Sequence, residues 1–127
     1  MATRGRIGIQ LSDGSILSVY SHWDNYPEFN GRKLKEHFDS YEQAAELIDG
    51  GDISSLWTNK DWEQKEMEPR PLYYAERGEE NVDPKLHESF NTFIKSVNDS
   101  WGDYAYIFAD GEWKCYTPKG NELVIPA

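Results

Sequence analysis

Two Asp-Gly pairs, Asp13-Gly14 and Asp110-Gly111, constrain this chain more than any other feature. Each sits between two short runs of alternating or apolar residues: Ile7, Ile9 and Leu11 before the first and Ile16 to Tyr20 after it, then Tyr104 to Ala109 and Trp113 to Thr117 around the second. Asp-Gly supplies the positive-φ positions of a two-residue hairpin turn, so both ends of the chain are expected to be β-hairpins. Gly8 within the first run marks a bulge or a close approach of backbone. The residues flanking the two turns do not align, so they are one good turn used twice and not an internal repeat.

Between the hairpins the pattern becomes helical. Asn30 is the expected cap of a short helix, Arg32 to Phe38, with Leu34 and Phe38 facing inward. Ser40 opens a second helix, whose stripe is Tyr41, Ala44, Ala45 and Ile48 and whose end is Gly50-Gly51. Asp52 to Trp57 reads as a tight turn or 3₁₀ segment, and 58 to 69 as an exposed polar loop with room for a helical turn. Leu72 to Ala75, behind Pro69 and Pro71, reads as an edge strand. Asp83-Pro84 has the form of an N-cap with proline at the first helical position, which predicts a helix carrying Leu86, Phe90, Phe93, Ile94 and Val97 on one face. A short strand is expected at Leu123 to Ile125. The reading is one α+β domain over residues 1–127: an antiparallel sheet from the terminal hairpins plus a middle strand, with two to three helices packed on one face.

Composition narrows function by exclusion. Among 127 residues the formal charge is -10, which opposes any groove that tracks phosphate backbones and argues against direct nucleic-acid binding. The acidity is uneven: residues 39 to 83 hold thirteen acidic and four basic side chains, whereas residues 1 to 38 are nearly balanced. Cys115 is the single cysteine, so an intramolecular disulfide and a multi-cysteine metal site are both impossible. It reads as a core thiol in an alternating strand. His22, His37 and His87 fall on different elements without metal-ligand spacing, and His37 and His87 read as helix surface or boundary residues. No cofactor or metal is expected. No apolar segment is long enough for a signal peptide or a membrane span, so a cytoplasmic protein is expected.

The densest chemistry lies at Ser21 to Arg32, where His22, Trp23, Asp24, Tyr26, Phe29 and Arg32 share a proline- and glycine-shaped loop. Trp23 and Tyr26 can stack on a base or sugar. His22 beside Asp24 can form half of an acid–base pair. The competing reading is a structural loop, with Trp23 in the core and Asp24 bonded to turn backbone. Arg77, in the Arg77-Gly78-Glu79 turn, offers a guanidinium fork matched to phosphate. No nucleophile elbow, P-loop or dinucleotide fingerprint occurs, so no catalytic residue is assigned.

His22-Trp23-Asp24-Asn25-Tyr26-Pro27, Gly51-Asp52-Ile53-Ser54-Ser55-Leu56 and Arg77-Gly78-Glu79 together resemble a family of small, uncharacterised phage and prophage proteins. Its pattern has glycine where this chain has Asn25; asparagine tolerates positive φ, so the same turn is open to it. The resemblance implies an accessory protein made in the infected cell's cytoplasm. Small phage proteins of this kind commonly disarm a host system. The favoured expectation is therefore a sponge that sequesters a nucleotide-derived immune signal without catalysis. His22, Trp23, Asp24, Tyr26, Arg32 and Arg77 would be its ligand-binding residues, in a pocket between subunits of a homo-oligomer. One alternative is an acidic nucleic-acid mimic that captures a basic host protein. A second is a small hydrolase using His22 and Asp24.

Overall fold

The structure is a computed structural model, and it describes residues 2–126. The first hairpin forms, β1 (Gly5–Gln10) pairing antiparallel with β2 (Ile16–Trp23), but its turn is wider than two residues: the Leu11 amide reaches the Ser15 carbonyl, and of the Asp-Gly pair only Gly14 has positive φ, +88°. Asp13 closes that turn by accepting hydrogen bonds from the Ser15 amide and hydroxyl at 3.0 and 2.5 Å. The pairing runs without a bulge, and Gly8 is the close approach: a Cβ there would lie 2.9 Å from Ile16 Cγ2 and 3.1 Å from the Leu17 carbonyl oxygen. The second hairpin, β6 (Tyr104–Ala109) with β7 (Glu112–Tyr116), also forms as read. A short β8 (Glu122–Leu123) adds to β7.

The molecule is α+β, but its sheet is mixed where an antiparallel one was expected. Strand β3 (Ile53–Lys60) lies parallel to β2, and β6 lies parallel to β1. With β4 (Glu66–Tyr73) beyond β3, the order is β4-β3-β2-β1-β6-β7-β8, and β5 (Lys85–His87) pairs with β2 off this path. Parallel neighbours need long crossovers. Helices α1 (Arg32–His37) and α2 (Tyr41–Asp49) supply the one between β2 and β3. The two terminal hairpins therefore meet through a parallel β1–β6 seam.

The helices also divide between both faces of the sheet, where one face was expected. Ile7, Ile9, Val19, Tyr106, Phe108 and Cys115 point to one side and pack with Leu34 of α1 and with Ala44, Leu47 and Ile48 of α2. Cys115 is the core thiol expected there, and burial pushes its pKa up to about 11. On the other side, Ile16, Ala105 and Ile107 pack with Phe93 and Val97 of α3 (Phe90–Asp99). Strand alternation produces this split, because successive side chains face opposite ways.

Three local expectations are corrected. Residues 53 to 73 form the β3–β4 hairpin, where a turn and an exposed loop were expected. Its polarity reflects an edge position, with Pro69 and Pro71 on the outermost strand, and its pairing register shifts three times. Asp83-Pro84 does not start a helix. The Val82 carbonyl accepts from the Asp52 amide at 2.8 Å, which holds the chain extended into β5, and α3 begins later at a Ser89–Thr92 capping box. Leu86 is accordingly exposed. Asn30 is not a helix cap: it is buried and donates to the Trp23 carbonyl and to Asn25 Oδ1, both at 3.0 Å. A single π-helical turn, Pro27–Gly31, leads into α1 instead.

Candidate functional site

On the face that α3 packs against, even-numbered positions of β2 place Ser18, Tyr20 and His22 in a row, with Arg6 of β1 opposite Tyr20. Helix α3 covers this face over Ile16, Ala105 and Ile107. Towards the carboxyl end of β2, Tyr20 and His22 are only half-buried. The Tyr20 hydroxyl lies 2.6 Å from His22 Nδ1. Burial, and then Arg4, holds the imidazole below its usual range, while burial raises the Tyr20 phenol. The two groups share one hydrogen bond, whose direction follows the tautomer of the ring.

Beside this pair stands Tyr74, in a 3₁₀ turn over Tyr74–Arg77 that follows β4. Tyr74 and Asp52 both act electrostatically on the Tyr20 phenol. Arg77 lays its guanidinium over two rings, 4.6 Å from the Trp62 centroid and 5.5 Å from that of Tyr74. Those rings pack on each other at 5.7 Å. Arg77 also pairs with Glu79, so its charge is shared with a neighbour it can exchange. The Trp62 Nε1 donor is buried without a hydrogen-bond partner. The result is an aromatic surface, Tyr20, His22, Trp62 and Tyr74, set among two arginines, Arg4 and Arg77, and two carboxylates, Asp52 and Glu79.

The six residues singled out from sequence do not form one cluster. His22 and Arg77 belong to this surface. Trp23 sits at the strand end, 42% exposed, with its ring edge-on to His22 at 4.7 Å. Asp24 is exposed with φ 61°, and the Nδ1 partner of His22 is Tyr20. Tyr26 packs on Phe29, and Arg32 is exposed at the start of α1. The loop holding Asp24 to Gly31 is tied to the opposite face, since the Tyr106 hydroxyl donates to the Asn25 carbonyl at 2.7 Å. The aromatic platform beside Arg77 is therefore Trp62 and Tyr74, not Trp23 and Tyr26. Sequence reading passed over both because they lie in a stretch read as loop and strand end.

A buried polar group lies further along the same face. Arg6, 3% exposed, donates from Nε to Ser18 Oγ at 2.9 Å and from Nη2 to the Ser18 carbonyl at 3.3 Å. Ser18 Oγ is 2.7 Å from His87 Nε2. His87 is thus a buried strand residue and not a helix-boundary one. A serine–histidine contact resembles a nucleophile with its base. Here Ser18 has no exposed surface, and burial, aided by Arg6 and Lys85, lowers the His87 pKa to about 4. The group acts as an internal clasp between β1, β2 and β5. Asp52 lies near it and accepts from the Tyr20 amide at 2.9 Å. Burial raises its carboxyl above the ordinary value, against Tyr20 N–H and Arg6, which pull it down.

Among the described residues no group of three or more His, Cys, Asp or Glu is placed to hold a metal, and no helix is long and apolar enough to cross a membrane. Comparison with family models, with curated proteins and with solved structures finds no match.

Proposed function

We propose that this chain binds a small anionic ligand of nucleotide type and releases it unchanged. The observation that carries the reading is the Arg77 guanidinium stacked on Trp62 and Tyr74, next to the Arg4–His22–Tyr20 group. Aromatic rings accept a base by stacking, at about 1–3 kcal/mol per base, and an arginine fork meets phosphate. The surface is an open face of the sheet, so a second copy of the chain laid against it would enclose the ligand, which favours a homo-oligomer. The likeness to phage proteins supports an immune signal of the infected cell as the ligand, held away from its receptor.

Calorimetric titration with adenine-containing cyclic nucleotides and cyclic ADP-ribose isomers tests this. At least one is expected to bind below about 10 μM. Arg77→Ala and Tyr74→Ala should abolish that binding with the thermal melt little changed, and Arg32→Ala, on the other face, should leave it intact. Heat denaturation should return the ligand whole. Absence of binding, or recovery of cleaved ligand, rejects the reading.

A further inference from the structure

We infer that the crevice between the two hairpin turns is a second binding site, and that it takes an organic cation. Its origin is topological. Strands β1 and β6 are parallel neighbours, and their carboxyl ends, Gln10 and Ala109, lie side by side. From there the chain diverges: β1 turns back into β2 on one side, and β6 into β7 on the other. Divergence at the carboxyl ends of adjacent parallel strands leaves a crevice that no connection crosses, which is where open sheets of this kind bind ligands. The crevice has a volume of about 760 Å³ and is lined by Gln10, Leu11, Asp39, Tyr41, Phe108 and Asp110 among others. That size suits a small organic molecule, for which pockets run roughly 300–1,000 Å³. A smaller cavity of about 180 Å³ adjoins it through Asp39 and Phe108 and adds Trp113 and Glu112.

The electrostatics choose the ligand. Asp39 and Asp110 are the formal charges lining the crevice. Helix α2 also opens onto it, since Ser40 is the helix cap, and contributes roughly half a positive charge from its N-terminus. Two full carboxylates outweigh that half charge, so phosphate is repelled and an ammonium or guanidinium is attracted. Lys35 is balanced by Glu112 in the adjoining cavity. Tyr41 occupies a stripe position of α2 yet is 52% exposed, so its ring face is free to receive a cation. Leu11 and Phe108 form an apolar floor for an aliphatic body. This chemistry differs from that of the Arg77 surface, where arginines are present, and the crevice lies at the other end of β1 from Arg4.

Agmatine and spermidine, titrated against ¹⁵N-labelled protein with adenosine monophosphate as the anionic control, test the inference. Saturable amide shifts are expected at residues 10–12, 39–41 and 109–111 with the cations and not with the nucleotide. Asp39→Asn combined with Asp110→Asn should weaken binding by tenfold or more; asparagine tolerates the left-handed backbone that Asp110 adopts. Tyr41→Ala, on an exposed helix surface, should weaken it by about two- to fivefold. Glu63→Gln with Glu66→Gln, on the β3–β4 hairpin, should change nothing. Non-saturating shifts spread over the acidic hairpin, shifts at the crevice residues with the nucleotide alone, or affinity unchanged in both crevice variants would overturn it.

Discussion

At the scale of single residues, the Arg6–Ser18–His87 clasp governs how stability should respond to acid. The His87 pKa is about 4 in the fold against 6.5 as an unperturbed side chain, because burial and two nearby cations disfavour its protonation. Between those values the unfolded chain binds a proton that the folded chain refuses. The stabilisation is therefore complete above pH 6.5 and is lost as pH falls towards 4. Asp52 acts in the opposite sense: its raised carboxyl pKa favours the folded state as pH falls, within the range where carboxylates titrate. Urea midpoints measured from pH 7 down to about 5.5 stay above the carboxylate range and read His87 together with His22, whose pKa is also lowered. A loss of up to about 1 kcal/mol from His87 is expected there, allowing for partial solvent screening. His87→Gln should reduce it, and an equal loss in that variant would assign the effect elsewhere.

Among the elements, α3 gives the sharpest test of packing. Phe93 and Val97 have no exposed surface, Phe90 is half-buried against the Tyr116 ring at 4.9 Å, and Leu86 lies outside the helix and is 63% exposed. Phe93→Ala should remove roughly 3–5 kcal/mol, as a large-to-small change in a closed core. Leu86→Ala should cost less than about 0.5 kcal/mol. Ser89→Ala, which deprives the Thr92 amide of its acceptor, should cost about 1 kcal/mol. Urea denaturation of the three variants sets the order; similar losses for Phe93 and Leu86 would contradict the packing of this face.

For the whole molecule, charge and topology act together. The net charge is -10, and the β3–β4 hairpin carries Glu63, Glu66 and Glu68, all exposed, on the outer edge of the sheet. Mutual repulsion on this side is screened by salt, with a Debye length of about 30 Å at 0.01 M and about 8 Å at 0.15 M. The melting temperature is therefore expected to rise between those ionic strengths, and Glu66→Lys with Glu68→Lys should reduce the rise. A melting temperature independent of salt in the parent chain would show that the charges are too far apart to matter.

What the sequence determined by itself was local chemistry. The Asp-Gly turns, the Ser40 cap, the glycine stop of α2, the apolar stripe from Phe90 to Val97 and the buried thiol of Cys115 each depend on a few neighbouring residues, and each stands in the structure. The tertiary structure decided whatever depends on residues far apart. Nothing local fixes β1 parallel to β6 across roughly a hundred residues of chain, or splits the helices between two faces. An irregular, half-solvated edge hairpin carries no clean alternation, so β3–β4 was read as turn and loop. The site followed the same rule. His22 and Trp23 touch edge-on at the strand end, but strand alternation puts His22 on the same face as Tyr20, two residues before it. His22 therefore shares its surface with Tyr74 and Arg77, some fifty residues away, because β3 and β4 bring them across the sheet.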